Sequence, residues 1–370
     1  MKKVLVVMGT RPEAIKLAPV VQELNKREDV QTTVLSTSQH GTMLEDAAAC
    51  FGIRPDVFLE PPPAEGGLEA LTGQMLISLG KSMERLSPDL CMVQGDTASA
   101  FAGAVSAFYR NIPVAHVEAG LRTWHIRSPF PEEMHRQVIS TLADFHFAPT
   151  AAAKRNLIRA GVPEKRVWLT GNTAIDALRY SLVEGTPKRM PALPRDARLI
   201  LFTAHRRESW GDALREMLAA LRLILETFPD TYALCPLHPN PIVQNAAGEM
   251  LSGCPRVQII DPPEVTVFHH LLARACLIMT DSGGIQEEAT ALGIPTLVMR
   301  HATERTEGIR AGVLRLVGTD KTGITAAAAE LLQPDSERYA AMHHPSGVFG
   351  DGHAARRIVR ILEGWLNRDS

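Results

Sequence analysis

Short β-branched runs alternate along the chain with longer segments whose apolar residues recur every three or four positions. "VLVVM" (4–8), "VQTTVLS" (30–36), "LCMVQ" (90–94), "PVAHV" (113–117), "FHFAP" (145–149) and "RVWLT" (166–170) read as strands. Between them "EAIKLAPVVQELNKR", "TMLEDAAACF", "LEALTGQMLISLGKSMERL", "TASAFAGAVSAFY" and "AAAKRNLIRA" read as helices. Strand-helix alternation of this kind predicts a mostly parallel sheet covered by helices. The alternation lapses over 183–197, rich in Pro, Arg and Gly, which reads as a linker. A second series follows, with strands "RLILFTA", "TYALCPL", "VQII", "CLIMT", "PTLVM" and "GVLRLV". Its helices are "DALREMLAALRLILETF", "VTVFHHLLARA", "IQEEATALG" and "TAAAAELLQ". The expectation is an α/β protein of two Rossmann-like, doubly wound domains, 1–182 and 198–350, with a cleft between them. The segment 351–370 carries Ile358, Val359, Ile361, Leu362 and Leu366 at helical spacing. It reads as a last helix that packs back on the first domain.

Composition narrows the function. A chain of 370 residues with 45% hydrophobic content fills two cores. A formal net charge of -2 argues against nucleic-acid or membrane binding by bulk charge, while leaving room for a local cationic pocket. No segment approaches membrane-spanning length, and the opening apolar run is shorter than that of a secretory leader. The five cysteines are scattered, so neither a disulfide frame nor a zinc site is expected, and a cytoplasmic location fits.

In open α/β sheets ligands gather beyond the carboxyl ends of the strands. The first end reads "GTRPEAIK", with Arg11 and Lys16 as cations and Pro12 suited to a first helical turn. The G-x-G-x-x-G of a dinucleotide site is absent, so no nicotinamide cofactor is expected. The second end, "VQGDT", offers Asp96. The third, "HVEAGLRTWHIRSPFPEEMHR", offers Glu118 at a strand tip, then Glu132 and Glu133 opening a helix, with Arg136 one turn on. Single acids at such places are usually helix caps. Three acids, Asp96, Glu118 and Glu132, reaching one cleft opposite several cations point instead to acid/base chemistry.

The second domain offers different groups. His205 and Arg206 follow its first strand, where an arginine can clamp a phosphate. His238 sits in the turn "LHPNP". In "IMTDSGGIQEEA" the run Ser282-Gly283-Gly284 joins a strand to a helix and can cradle a diphosphate on backbone N–H groups. Glu288, one turn inside that helix, is placed to accept ribose hydroxyls. Arg305, in "RHATERTEGIRAG", can close the rim. H-E-x-x-H, the P-loop and G-x-S-x-G are all absent, and no metal site is expected. A carboxylate half and a diphosphate-ribose half together suit a sugar nucleotide, with glycosyl transfer and sugar rearrangement both open.

"GTRPEAIK", "QGDT", "HVEAGLR", "SPFPEE", "GNTAIDAL", "DSGGIQEEA" and "LVGTDK" together resemble the non-hydrolysing UDP-N-acetylglucosamine 2-epimerases, from Val4 to about Arg357. The resemblance implies a glycosyltransferase-B arrangement, a homodimer and a UDP-sugar substrate. It implies interconversion of UDP-GlcNAc and UDP-ManNAc by elimination and re-addition of UDP, without a cofactor. Asp96, Glu118 and Glu132 would then be the acid/base groups, with His205, Arg11 and Lys16 supporting the departing diphosphate or the substrate. Ser282, Gly283 and Gly284 would hold the phosphates, Glu288 the ribose, and Phe268 would border the uracil. The family commonly has Gly-Asp or Gly-Asn where this chain has Trp124 and His125, which leaves room for a modified amino sugar. The alternative within the same fold is a hydrolysing 2-epimerase that releases ManNAc and UDP.

Overall fold

The computed structural model describes residues 1–39, 41–61, 66–185, 187, 189–194, 196–204, 206, 209–238 and 240–366. The chain divides into two compact units. One is Met1–Arg179 together with the stretch from Gly350 onward, and the other is Tyr180–Phe349.

The first unit holds a parallel sheet of β1 (Lys2–Met8), β2 (Val30–Ser36), β3 (Val57–Phe58), β4 (Leu90–Gln94), β5 (Val114–Val117), β6 (Phe145–Ala148) and β7 (Val167–Leu169). Their order is β3-β2-β1-β4-β5-β6-β7. The chain starts in the middle, winds to one edge, then crosses back and winds to the other. The reversal falls between β1 and β4, the place where such sheets open a crevice for ligands. Val4–Met8 and Leu90–Val93 are apolar without alternation because helices cover both faces. Leu5, Val7, Cys91 and Val93 form one core with the helices Gly67–Leu86 and Ala98–Phe108. The second of these is rich in Ala and Gly because it lies close to the sheet: a Cβ on Gly103 would come within 2.9 Å of Val93 Cγ1.

The C-terminal helix Ala354–Leu366 packs on the first helix, Arg11–Asn25, and buries Ile358, Val359, Leu362 and Leu366. Its first N–H groups, which have no partner within the helix, are met by Asp176, which accepts from Ala354 N at 3.1 Å and Ala355 N at 2.9 Å. Burial nevertheless pushes the Asp176 carboxyl up to about 6, against the pull of these two N–H donors.

His146, on β6, is 1% exposed. Burial, with Arg122 and Arg166 adding positive charge, holds its imidazole down to about 4. The ring is therefore neutral in the folded chain down to about pH 4 and gains a proton on unfolding only where the pH lies below about 6.5. Its stabilising contribution is whole above the unfolded value near 6.5 and is lost as pH falls toward 4. Between pH 7 and 5 this withdraws about 2 kcal/mol. His146→Leu should lessen the wild-type loss by that amount when urea unfolding is measured at both pH values.

The second unit holds β8 (Arg198–Thr203), β9 (Thr231–Pro236), β10 (Val257–Ile260), β11 (Leu277–Thr280), β12 (Thr296–Val298) and β13 (Leu314–Leu316), all parallel. Their order is β10-β9-β8-β11-β12-β13, with the reversal between β8 and β11. Ile200, Phe202, Met279 and Leu297 meet Leu214, Leu218, Leu221 and Leu225 of the helix Asp212–Thr227. Several elements are not read from the apolar pattern. β3 is only two residues long, and the helices Thr173–Val183 and Pro241–Leu251 go unread although the second buries Val243, Ala246, Ala247 and Leu251 at helical spacing. The helix Pro241–Leu251 starts where Asn240 Oδ1 accepts a hydrogen bond from Ile242 N at 2.9 Å, with a proline at its first position. Among the described residues, no helix is long and apolar enough to cross a membrane.

Candidate active site

At the reversal point of the first unit, the tip of β1 is built around Glu13. Thr10 caps the helix Arg11–Asn25, and Glu13 closes a capping box. Glu13 Oε2 accepts from Gly9 N at 3.0 Å and Thr10 N at 2.7 Å. Its other oxygen accepts from Thr97 Oγ1 at 2.7 Å, tying the β1 tip to the β4 tip. Glu13 is 0% exposed, and burial raises its proton affinity against these donors. The first acid after the strand is thus a structural clamp. Gly9 is obligatory for the same junction, since a Cβ would lie 1.9 Å from Ser99 Oγ.

One turn further along the helix, Lys16 Nζ lies 2.6 Å from Glu118 Oε2. Glu118 follows β5 in the left-handed region, with φ 63°, and is 7% exposed. A non-glycine residue held there costs free energy that the surroundings must over-determine. They do: Ala119 N donates to Phe147 O at 3.0 Å on the far side, and on the near side Gly95 N donates to Val117 O at 3.0 Å. Gln94 Nε2, from the end of β4, also donates to Glu118 Oε2.

Asp96 sits beside this pair. Its Oδ2 lies 2.8 Å from Arg136 Nη2, and its backbone carbonyl takes a hydrogen bond from His135 Nδ1 at 2.8 Å. That carbonyl sets the His135 tautomer, with the proton on Nδ1. Burial raises the Asp96 carboxyl. Arg136 and Lys16 oppose the rise, and the negative charges of Glu118 and Glu132 add to it. Asp96, Glu118, Glu132, Lys16 and Arg136 therefore form one electrostatic cluster, as the sequence suggests for the three acids. Glu132 Oε2 is buried and has no hydrogen-bond partner among the described residues. Its neighbour Glu133 is 0% exposed and lies 3.5 Å from Arg136 Nη1. It accepts from Thr123 N at 3.0 Å and Trp124 N at 3.2 Å, and so holds the loop after Glu118. Arg11, at the head of the same helix as Lys16, has its guanidinium proton affinity lowered by burial, with Cys50 and Asp46 opposing.

In the second unit, Ser282 caps the helix Gly283–Leu292 by position without spending its hydroxyl on the cap. A Cβ at Gly284 would meet nothing within 4 Å, so the backbone there stays accessible. A Cβ at Gly283 would lie 3.0 Å from Arg305 Cζ, so Arg305 lies across this turn. Arg305 is held by Glu287 at 2.9 Å and Glu304 at 3.5 Å. Burial alone would raise the Glu304 carboxyl, but Arg305 and Arg300 bring it down to about 2. Glu288 Oε1 lies 3.5 Å from His269 Nε2, and His269 Nδ1 is 2.9 Å from Ser181 Oγ. Arg206 is anchored through its backbone N, which donates to Asp281 Oδ2 at 3.0 Å. Ser282, Gly283, Gly284, Glu288, Arg305 and Arg206 thus surround the β8 and β11 ends.

His238 and Phe268 have more local settings. His238 is exposed, and its Nδ1 accepts from Asn240 N at 3.1 Å, which shapes the turn before the next helix. Phe268 is half-buried against the core of Leu271, Leu272 and Ile278. His205 lies outside the described residues. Gln94 and His269 are contributors that sequence reasoning missed, because a buried glutamine and a helical histidine carry no motif, while Glu133, read only as opening the helix, holds the loop at Thr123 and Trp124. Among the described residues, no group of three His, Cys, Asp or Glu could hold a metal ion.

The family described as UDP-N-acetylglucosamine 2-epimerase matches residues 22–363. A UDP-N-acetylglucosamine 2-epimerase of Bacillus subtilis is 44% identical over 360 residues, 97% of this chain and 94% of that protein. The crystal structure of the Neisseria meningitidis UDP-GlcNAc 2-epimerase bound to UDP-GlcNAc superposes with a TM-score of 0.92 at 39% identity, covering 98% of this chain and 100% of that one. The S. aureus MnaA–UDP structure gives a TM-score of 0.90 at 39% identity, covering 99% and 97%. With the clustered acids at one sheet reversal and the glycine turn at the other, these likenesses place the chain in the UDP-N-acetylglucosamine 2-epimerase family.

Proposed function

We infer that this chain interconverts UDP-GlcNAc and UDP-ManNAc by elimination and re-addition of UDP. A carboxylate of the first unit takes the C2 proton, and the C2–H electrons form a C1=C2 bond. The C1–O bond breaks and UDP leaves with its electron pair. UDP then returns to C1 while a carboxylic acid delivers a proton to the other face of C2. The observation that carries this reading is the gathering of Asp96, Glu118 and Glu132 around Lys16 and Arg136 at one sheet reversal. Neighbouring carboxylates raise one another's proton affinity, so one can donate while another accepts.

The remaining roles follow the chemistry of each group. Lys16 and Arg136 orient the acids and steady charge on the sugar end. The N–H groups of Gly283 and Gly284, with the Ser282 hydroxyl, receive the diphosphate at a helix start. Arg11, Arg206, Arg305 and His205 supply positive charge or hydrogen bonds to the leaving UDP, where stabilisation of developing charge does most work. Glu288 receives the ribose, Phe268 borders the uracil, and His238 lies at the substrate's margin. We place the enzyme as a cytoplasmic homodimer. The five free cysteines fit a reducing compartment.

The test is UDP-GlcNAc in D2O followed by NMR. The expected result is deuterium at C2 of both UDP-sugars, with the nucleotide still attached at equilibrium. A product whose C2 hydrogen never exchanges would overturn the mechanism. Accumulation of free ManNAc and UDP would move the chain to the hydrolysing branch.

A further inference from the structure

We propose that Gln94 is a positioning residue that acts on the reaction through Glu118. The inference rests on the epimerase reading above and deepens it. Gln94 ends β4, is 3% exposed, and pairs in register with Val117, the residue before Glu118. Its amide Nε2 donates to Glu118 Oε2, the same oxygen that Lys16 Nζ meets at 2.6 Å. Two donors from two different elements therefore converge on one carboxylate oxygen. Neither of these contacts uses Oε1, the oxygen that on this reading meets the substrate.

The arrangement separates two tasks. Lys16 supplies charge, whereas the Gln94 amide is neutral and supplies direction alone. Direction matters here because Glu118 is attached through a left-handed backbone, φ 63°, and its side chain is 5% exposed. A carboxylate that must reach C2 within hydrogen-bond distance loses rate steeply when displaced by about 1 Å. Lysine by itself cannot supply that fix, since its ammonium is a point charge on a flexible stem. A second donor on a strand end removes the remaining rotation.

Gln94→Met tests this. The thioether keeps the length and most of the volume of the side chain and removes the donor. The expected result is a fall in kcat of about 10- to 100-fold in both directions, with KM changed by less than about threefold. The isotope effect from C2-deuterated substrate should rise in the direction in which Glu118 takes the proton, because proton transfer becomes slower relative to other steps. A merely structural role would lower the unfolding midpoint and leave the isotope effect where it was. Gln94→Glu keeps the shape, turns the donor into a second carboxylate, and should lose more kcat than Gln94→Met. It serves as the deciding variant if Gln94→Met does not fold. A kcat within twofold of wild type, or a loss with unchanged isotope effects, overturns the proposal. Wild-type protein in the same assay separates the two levels. If it exchanges no C2 hydrogen the epimerase reading fails, and if it exchanges while the variants behave like it only the role of Gln94 fails.

Discussion

Glu118→Gln lowers kcat by about 10²- to 10⁴-fold, the usual worth of a positioned acid/base group. KM for either UDP-sugar should move by only a few-fold, because the lost interaction belongs chiefly to the transition state. The substitution is nearly isosteric, so the left-handed backbone at φ 63° and the core behind it are undisturbed. UDP affinity measured by calorimetry should stay close to wild type, since Ser282, Gly283, Gly284 and Glu288 belong to the other unit. Steady-state rates in both directions, with C2 exchange in D2O, check the outcome. Turnover at the wild-type rate would remove Glu118 from the chemistry.

Gly120→Ala has the largest expected effect on stability. Gly120 has φ 96°, and a Cβ there would lie 2.3 Å from Ala153 O and 2.9 Å from Leu157 Cγ. The backbone oxygen cannot swing aside as a side chain could. Positive φ and overpacking together cost about 3 kcal/mol. For a unit of this size that lowers the unfolding midpoint by roughly 10 °C. Activity should fall as well, because Glu118 is two residues away on the same turn. Gly73 is the control. It lies inside the helix Gly67–Leu86, and a Cβ there meets nothing within 4 Å. Gly73→Ala should leave activity unchanged and raise stability by about 0.5–1 kcal/mol. Calorimetric unfolding of the two variants beside wild type decides the matter.

The acids at the strand ends were legible one by one but not as a set of roles. Glu13 and Lys16 stand on one helix within a single turn of each other. The structure sends Glu13 into a buried clamp on Gly9, Thr10 and Thr97, and Lys16 onto Glu118. Glu132 and Glu133 are consecutive, so the helix points them about 100° apart. One joins the acid cluster and the other holds the loop backbone at Thr123 and Trp124. Gln94 gave no signal, because the amide matters only through a partner from another strand. His238, read as a turn histidine that could bind substrate, is engaged in the turn itself.

Local sequence settled the periodicity of strands and helices, the glycines at tight turns and the residue types at strand ends, because each depends on neighbours a few positions away. It settled in this way that the protein is α/β, that acids cluster after the early strands and that a glycine turn opens a late helix. Tertiary structure alone decided which acid is a clamp and which faces the chemistry, and which donors meet on Glu118. Those outcomes depend on contacts between residues up to about a hundred positions apart, such as Lys16 with Glu118. Burial and the sum of nearby charges at such meeting points set proton affinity, and neither is a property of any segment taken by itself.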